Sequence, residues 1–523
     1  MKAFRPYQHE ASAAILKAWQ SNRSCLASIA TGGGKTLVAA GTTAKIVAQG
    51  RVLFLANRNE LCVQPLGAFR DQLGFVPALE KADDYADLGE RVVVGSVQTL
   101  GRQKRLERFP RDHFKFIFAD EAHMSMAPSW RRIFDHFPDA KICGITATPF
   151  RSDAKDLREI YETEAYRKPL FDLVDDGWLV SPDHVYKLES AISLAQVRIK
   201  QTAEGKDFDA QDAATAIEPY FIEIAKELKL KHSQRHILAF LPLVASSIKF
   251  VAACKSVGIN AVHVDGEDPE RDQKLMAFKK GEITLLSNSN LLHTGVDIEC
   301  CDATLCLRPT RSKVLYQQIV GRSTRCLPGT LDRKDTVQAR LDAIRASAKP
   351  EAIILDPMWL TDDHDLVTPS FLVADTQEDA EEINKRAGRS YSLRQLNRDV
   401  QREREEAILR RFQASENFRE RAVNADWFAA ANHIHALVSY QAVFTWEFGP
   451  VKNMDRAILK QAGIDPESVR NQGHARAVIR EIYKRRAKGL AELPALALHT
   501  ESDRLWELTS KEVGERRNAW MSR

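Results

Sequence analysis

Residues Ser24–Thr36 have the sequence SCLASIATGGGKT, in which an apolar run leads through three consecutive glycines to a lysine and a threonine. A second apolar stretch, Leu37–Val47, follows directly and is predicted to be a helix. A strand, a glycine-rich turn and a helix in this order favour phosphate binding, because the backbone N–H groups of the turn and the helix N-terminus attract an anion. We expect Lys35 to reach the β- and γ-phosphates of a nucleotide and Thr36 to hold Mg²⁺. The candidate phosphate-binding residues are Thr31, Gly32, Gly33, Gly34, Lys35 and Thr36.

Similar short apolar runs recur along the first two thirds of the chain, at intervals that suit helical crossovers. Buried runs of this kind indicate parallel sheets covered by helices. The first series is Ser24–Ala30, Val52–Ala56, Val92–Val97, Phe116–Ala119 and Ile142–Thr146. The second series is Ile237–Leu241, Ala261–Val264, Ile283–Asn288, Ala303–Leu307 and Ala352–Asp356. Two series predict two tandem α/β domains.

The length of 523 residues suggests about three domains. We place the first α/β domain at residues 1–178 and the second at 179–357. The strand pattern stops after Pro357, Pro357–Pro369 has the composition of a linker, and residues 358–523 form a predicted α-helical C-terminal region.

The overall composition narrows the class of protein. Hydrophobic residues make up 44% and charged residues 28% of the chain, as in ordinary globular proteins. No apolar stretch is long enough to span a bilayer, and the N-terminal MKAFRPYQHE lacks the apolar core of a signal peptide, so we expect a cytoplasmic protein. The eight cysteines form no CxxC pair, which favours reduced, mostly buried thiols and no zinc site. A net charge of only +4 means that a polyanion must be bound by local basic patches.

Asp120-Glu121-Ala122-His123 follows the apolar run Phe116–Ala119. Carboxylates at the end of a parallel strand can meet the Mg²⁺ of a nucleotide on the glycine-rich loop. We expect Asp120 to anchor the metal and Glu121 to deprotonate the attacking water. An Asp-Glu pair alone is usually a favourable helix N-terminus, but the loop upstream favours the catalytic interpretation.

Gln317-Gln318-Ile319-Val320-Gly321-Arg322-Ser323-Thr324-Arg325 is the third candidate motif. Arg322 and Arg325 are three residues apart and would share a helix face. Two guanidinium groups aimed at a cleft suit the charge that develops on a transferred phosphoryl group. Taken alone, the motif would be interpreted as a solvated basic face. Its place in the second α/β domain predicts that domain closure brings it to the nucleotide.

The order of these motifs resembles that of superfamily 2 helicases of the DEAH type, over about residues 3–356. Besides the three motifs above, the matching segments are Arg5-Pro6-Tyr7-Gln8, Phe54–Leu61, Gly95–Leu100, Thr146-Ala147-Thr148-Pro149, His236–Leu241 and Ser287–Asp297. The resemblance implies an ATP-dependent helicase with two RecA-like domains, and it implies further roles. Nucleotide binding would include Arg5, Gln8, Gly295 and Asp297, and Gln318 would join the catalytic group. Coupling would run through His123, Thr146 and Thr148, and nucleic-acid contacts through Arg58, Thr99 and Thr294.

The chain is most similar to the subgroup that holds the bacterial DNA-repair helicase RadD, the helicase parts of type III restriction enzymes and related phage helicases. The supporting stretches are Val264-Asp265-Gly266, Asp207-Phe208-Asp209 and Arg308-Pro309-Thr310-Arg311-Ser312-Lys313. Ile29 stands where the strict phosphate-binding pattern has glycine, His293-Thr294 stands where relatives tend to have Thr-Glu, and the tail lacks the cysteines of a RadD zinc module.

The C-terminal region contains one basic amphipathic stretch. Arg470–Lys488 has seven Lys or Arg and one acidic residue, Glu481. Ala475, Val478, Ile479 and Ile482 would form its apolar face. Arg476, Arg480 and Lys484 would line the other face, which is either simply solvated or a phosphate-binding patch. Aromatic and aliphatic residues from Trp427 to Phe444 are interpreted as core rather than as a base-stacking surface.

The motifs predict an ATP- and Mg²⁺-dependent enzyme. The resemblance implies that it unwinds or remodels duplex or branched DNA in repair, recombination or phage replication, in a bacterial or phage-infected cell. A nucleic-acid-binding subunit with a decayed motor, or an RNA helicase, remains an alternative. A loose nuclease pattern, Pro182-Asp183 with Glu204-Gly205-Lys206, is attributed to chance.

Overall fold

The computed structural model describes residues 4–57, 59–147, 157–190, 192–202, 205–289, 298–359, 366–413, 425–440, 442 and 445–487. The chain divides into two compact units, Met1–Asn397 and Arg398–Arg523. Among these described residues, no helix combines the length and apolar character needed to cross a membrane.

The first unit begins with a seven-stranded sheet whose strands are all parallel. Its strand order is β3-β4-β2-β5-β6-β1-β7. The strands are β1 Ser24–Ile29, β2 Val52–Ala56, β3 Ala78–Glu80, β4 Val92–Ser96, β5 Phe116–Asp120, β6 Lys141–Thr146 and β7 Thr163–Lys168. The helices are α1 Pro6–Ser21, α2 Lys35–Ile46, α3 Gln64–Leu73, α4 Val97–Leu100, α5 Gln103–Leu106, α6 Pro128–His136 and α7 Leu170–Asp175.

A second seven-stranded sheet follows in the same unit, with the order β12-β13-β11-β14-β15-β8-β16. Its strands are β8 His184–Lys187, β11 Ile237–Phe240, β12 Ala261–Val264, β13 Leu285–Asn288, β14 Ala303–Cys306, β15 Ile353–Asp356 and β16 Ser390–Ser392. A separate antiparallel hairpin is formed by β9 Ile199–Thr202 and β10 Gly205–Phe208. The helices are α8 Ala210–Ile217, α9 Phe221–Lys231, α10 Val244–Ser256, α11 Arg271–Lys279, α12 Lys313–Val320, α13 Val337–Arg345 and α14 Gln377–Arg386.

Two buried sheets of this kind confirm the predicted pair of RecA-like α/β domains. The central strands are buried along their whole length, which is why they appear in the sequence as unbroken apolar runs. All ten predicted strands are present to within two residues at either end.

The prediction that strands end at Pro357 is wrong. β16 pairs antiparallel with β8 and adds an edge to the second sheet. Strand β16 has three residues, two of them serines, and only the Tyr391 side chain is buried, so the sequence shows no apolar pattern there. Asp183, from the loose nuclease pattern, accepts hydrogen bonds from the Ser392 hydroxyl and the Arg394 N–H beside this strand, while Glu204 lies outside the described residues.

The second unit consists, in its described part, of helices. They are the C-terminal portion of α15 Leu393–Gln413, then α16 Ala425–Ala431, α17 His435–Val438, α18 Asn453–Gln461 and α19 Gln472–Ala487. Their core includes Phe428, Leu437, Val438, Leu459 and Val478. The side chain of Trp427 and all of Phe444 lie outside the described residues. The prediction of a core is confirmed for Phe428, Leu437 and Val438, which are buried.

Candidate active site

The glycine-rich loop joins β1 to α2 at the carboxyl edge of the first sheet. Gly32 and Gly34 have φ values of 85° and 77°, in the left-handed region that favours glycine. A Cβ on Gly33 would lie 2.6 Å from Ile29 Cγ2 and 3.0 Å from the Ala30 carbonyl oxygen, so glycine is required there too. Ile29 is fully buried and packs under the loop, which accounts for a bulky residue at the position that the strict pattern gives to glycine.

The N-terminal segment braces this loop from the side. The Tyr7 hydroxyl and the Gln8 side-chain amide both donate to the Gly33 carbonyl oxygen, at 2.7 and 3.1 Å. Gln8 Oε1 in turn accepts the backbone N–H of Arg5 at 2.9 Å. Since Gln8 is only 2% exposed and both ends of its amide bond within the protein, its structural role is to hold the loop. Recognition of an adenine base by Gln8 or Arg5 remains a prediction.

Glu121 contacts side chains from both α/β domains. Its Oε1 lies 3.4 Å from Lys35 Nζ of the loop and accepts the side-chain amide of Gln318, from α12 of the second domain, at 3.1 Å. Its Oε2 lies 3.4 Å from His123 Nδ1. Glu121 has a φ of 51°, a left-handed conformation that non-glycine residues rarely adopt and that is often found at functional sites. This strained turn after β5 directs the carboxylate at the loop.

Asp120 and Glu121 are both buried, yet their pKa values move in opposite directions. Burial, together with the neighbouring Glu121 charge, raises the pKa of Asp120 to about 6. Burial also acts to raise the pKa of Glu121, but Lys35, His123 and Arg322 outweigh it and lower that pKa. Glu121 is therefore ionised at neutral pH, as a general base must be.

The hydroxyl of Thr36 and the carboxylate of Asp120 are hard oxygen ligands of the kind that Mg²⁺ prefers. The raised pKa of Asp120 indicates a buried anion with too little positive charge around it, which a cation would relieve. The residues therefore fit a magnesium ion. When bound with a nucleotide, Mg²⁺ would neutralise phosphate charge at this site.

The arginine-bearing segment after α12 lies directly against the glycine-rich loop. A Cβ on Gly321 would be 2.6 Å from Thr31 Cβ, so only glycine allows this approach. Arg322 is 4% exposed, and burial lowers its pKa to about 10 although the Glu121 charge opposes this. Burial also lowers the pKa of Arg325. Both arginines remain cationic at pH 7, and the charge of Arg322 interacts with that of Glu121. They follow the end of α12 at Val320, so the prediction that they share a helix face is wrong. That Arg325 meets the nucleotide remains a prediction.

The other predicted residues are placed less completely. Thr146 is fully buried at the end of β6, in register with Ser28 of β1. Thr99 accepts the backbone N–H of Ala82 at 2.9 Å and bonds to Asn59 at 3.3 Å, beside the predicted contact at position 58. The predicted residues Arg58, Thr148, Thr294, Gly295 and Asp297 lie outside the described residues.

Sequence reasoning missed a stack of side chains at the junction of the two domains. The guanidinium groups of Arg5 and Arg340 lie 4.7 and 3.8 Å from the ring centroid of Trp178. Arg340 also donates to the Asp176 carbonyl oxygen at 2.8 Å. This stack connects the N-terminal segment, the interdomain turn and α13. A single tryptophan beside a glycine is too common in sequences to predict such a contact.

In the second unit, α19 has the predicted two faces. Ala475, Val478, Ile479 and Ile482 are buried, and Arg476, Arg480 and Lys484 are exposed. Two of the cations have acidic neighbours, since Arg476 Nε lies 3.4 Å from Asp455 Oδ2 and Lys484 Nζ lies 3.3 Å from Glu481 Oε2. The basic face is therefore partly neutralised within its own unit.

The eight cysteines are free thiols, five of them buried, as the sequence predicts. Within the described part of the chain, no group of three or more His, Cys, Asp or Glu residues could hold a metal ion.

Comparison with known proteins gives two family matches and several relatives. The family described as "Type III restriction enzyme, res subunit" matches residues 1–151, and "Helicase conserved C-terminal domain" matches residues 220–326. The putative mitochondrial ATP-dependent helicase irc3 of Schizosaccharomyces pombe is 29% identical over 346 residues, which cover 63% of this chain and 56% of that protein. The 51.5 kDa protein of a Lactococcus phage is 31% identical over 300 residues, 56% of this chain and 61% of that protein.

Among solved structures, a fragment of a putative HsdR subunit of a type I restriction enzyme from Vibrio vulnificus YJ016 superimposes with a TM-score of 0.51. The two chains are 23% identical, and the superposition covers 68% of this chain and 64% of the HsdR fragment. The present chain spans 49 to 61% of the length of three curated relatives that it matches.

The fold and the site define a protein with two RecA-like domains, one carrying a glycine-rich loop and the other an arginine-bearing segment that lies against it. Residues 1–151 and 220–326 match helicase families, so this part of the chain is that of a superfamily 2 helicase, similar to the helicase subunits of restriction enzymes.

Proposed function

We propose that this chain hydrolyses ATP and uses the resulting domain movements to translocate on or unwind DNA. The observation that carries the proposal is the convergence on Glu121 of Lys35 from the first domain and Gln318 from the second. A carboxylate that contacts both domains links their closure to the chemistry.

In the proposed reaction, Glu121 accepts a proton from water as the water oxygen attacks the γ-phosphorus of ATP, and ADP leaves with the electrons of the broken P–O bond. Lys35 and the N–H groups of Thr31–Thr36 hold the phosphates. Thr36 and Asp120 hold Mg²⁺. Arg322 and Arg325 stabilise the charge that develops on the transferred phosphoryl group.

The nucleic-acid path is proposed to pass Arg58, Thr99 and Thr294, with His123, Thr146 and Thr148 coupling it to the nucleotide site. Arg480 and Lys484, with Arg476 as a weaker contributor, would add phosphate contacts from the second unit. DNA is preferred over RNA because the family match over residues 1–151 is to the res subunit of type III restriction enzymes. A cytoplasmic location follows as part of the same proposal.

ATP turnover with and without DNA tests the proposal. We expect turnover by the wild-type chain to rise with DNA, Lys35→Ala to lose nucleotide binding and turnover, and Glu121→Gln to bind Mg²⁺ and ATP yet stall. Glu159→Gln, an exposed acidic residue away from the loop, is the matched control and should behave as wild type.

Each alternative predicts a different outcome. DNA binding without any ATP turnover would show a decayed motor and overturn the proposal. Stimulation by single-stranded RNA but not by single-stranded, forked or four-way DNA would make the chain an RNA helicase. Near-normal turnover in Glu121→Gln would remove the assignment of the base.

A further inference from the structure

Lys349 is a buried cation that the proposed chemistry does not use. It lies in the segment between α13 and β15, and only 2% of its surface is exposed. Its backbone N–H donates to Ser347 Oγ at 3.1 Å, which holds the residue at the end of α13. Burying an ammonium group is costly unless it is well compensated, so its partners in the interior explain why it is there.

Those partners are two backbone carbonyl groups from distant segments. Lys349 Nζ donates to the carbonyl oxygen of Glu299 and to that of Arg325, each at 2.7 Å. Glu299 follows the Ser287–Asp297 motif by two residues. Arg325 is the last residue of the Gln317–Arg325 motif. The Lys349 side chain therefore joins the last residue of the Gln317–Arg325 motif to Glu299 through two hydrogen bonds.

Other groups near Lys349 do not replace these two bonds. Burial raises the pKa of Cys300 to about 11 and that of Cys301 to about 12, so both thiols are neutral at pH 7. Asp302 is engaged elsewhere, since its carboxylate accepts the His236 N–H at 2.7 Å and lies 3.4 Å from Arg235. Among the described residues, the carbonyl groups of Glu299 and Arg325 are the hydrogen-bond acceptors of the Lys349 ammonium group.

We propose that Lys349 is a positioning residue, which fixes the backbone of Arg325 relative to Glu299 so that the Arg325 guanidinium can meet the transferred phosphoryl group. The inference rests on the proposed ATP hydrolysis. Lys349 itself touches no reacting atom. Its loss would leave the loop, Lys35 and Glu121 in place and would displace only the arginine-bearing segment.

The test is a double-mutant cycle on ATP turnover with Lys349→Met and Arg325→Ala. Methionine keeps the length and removes the donors. A small displacement of a catalytic group can cost about 10²-fold in rate, so we expect kcat of Lys349→Met to fall by that order while KM for ATP and binding of ADP stay unchanged. Binding of ADP–aluminium fluoride, which mimics the transferred phosphoryl group, should weaken. Adding Lys349→Met to Arg325→Ala should cause no further loss.

The outcomes separate this inference from the function on which it rests. Lys334→Met, an exposed lysine after the same motif, is the matched control and should leave turnover unchanged. Additive effects in the cycle, or equal weakening of ADP and ADP–aluminium fluoride, would overturn the positioning role while leaving ATP hydrolysis standing. An inactive wild-type chain would instead overturn the proposed function.

If Lys349→Met does not fold, Lys349→Arg replaces it in the double-mutant cycle. Its larger guanidinium keeps the charge but displaces the Arg325 carbonyl group, so kcat should fall in the wild-type background and not in Arg325→Ala. An unchanged kcat, or an equal loss in both backgrounds, would contradict the inference.

Discussion

The side-chain amide of Gln318 donates a hydrogen bond of 3.1 Å to the carboxylate of Glu121, across 197 positions of sequence. The same carboxylate oxygen faces Lys35 of the glycine-rich loop. Gln318 is 7% exposed, so this bond is shielded from water and depends on the two domains being closed. Opening the domains would release Glu121 from Gln318 and leave it with Lys35 alone.

Gln318→Met tests this contact, because methionine is similar in size and cannot donate. We expect kcat for ATP to fall about 10²-fold through misplacement of the base, with nucleotide binding retained because Lys35 and the loop are untouched. Gln317→Met, at the partly exposed neighbouring position on α12, is the control. Equal effects of the two substitutions would show that the loss of kcat comes from a less stable helix rather than from the missing bond to Glu121.

Arg325→Ala should lower kcat by about 10³- to 10⁵-fold, the range for arginine fingers in phosphoryl transfer. ATP affinity should change much less, because the charge that Arg325 meets develops during the reaction. Single-turnover kinetics and equilibrium ATP binding measure the two effects separately. Arg345→Ala, on an exposed part of α13, serves as the control. Loss of ATP binding with bound-state turnover preserved would exclude the transition-state role.

Asp120→Asn should stabilise the nucleotide-free chain above pH 6 while weakening Mg²⁺-dependent ATP binding. The pKa of Asp120 is about 6 in the folded chain and near 3.8 when unfolded, so the folded state retains a proton that the unfolded state releases between these values. The free energy of unfolding therefore falls as pH rises through this window, and the penalty is complete above pH 6. Asparagine removes it and still accepts the Glu121 N–H.

Thermal melts from pH 4 to 8 check the sign, since the difference in Tm between Asp120→Asn and wild type should grow with pH. Asp356→Asn is a matched control, because burial also raises the pKa of Asp356 to about 6 but that residue lies at the end of β15 in the second domain. It should gain stability and keep ATP binding. A pH-independent difference for Asp120→Asn would contradict the buried-charge explanation.

The basic face of α19 is tested by reversing Arg480 and Lys484 to Glu. Arg476 is left in place because it contacts the buried Asp455, and a glutamate there would place a second carboxylate beside a buried one. Glu481, which contacts Lys484, is partly exposed, so water can solvate both carboxylates at that position. Each lost phosphate contact should reduce the log–log salt slope of DNA binding by about 0.7–0.9. Lys17→Glu with Lys226→Glu changes the net charge equally at exposed sites of the first unit.

Basal ATP turnover should persist in both double variants. Unchanged DNA affinity and slope in the Arg480 and Lys484 variant would leave this face as a solvated surface. Loss of basal turnover would show that the second unit supports the first, against the division of labour proposed for them.

The local chemistry of this protein is determined by its sequence. Three features depend only on neighbours within a few residues: the left-handed glycines before Lys35, the buried strands and the carboxylates at the end of β5. The glycine-rich loop, ten strands and the RecA-like class can therefore be predicted from the sequence. The limits of this reasoning are equally physical. Strand β16 pairs through its backbone, which any side chain can accompany, and three residues with one buried side chain, Tyr391, are too few to show an apolar pattern.

Only the tertiary structure decides which distant groups share one buried space. The bond from Gln318 to Glu121, the packing of Gly321 on Thr31, the stack around Trp178 and the two carbonyl groups on Lys349 all join segments far apart in sequence. The first three of these contacts form at the interface of the two α/β domains, which exists only after both domains have folded. The bonds of Lys349 form inside the second domain, once its sheet has brought the three segments together. A glutamine, a glycine, a tryptophan or a lysine in the sequence is compatible with many other surroundings, and the packed domains select one.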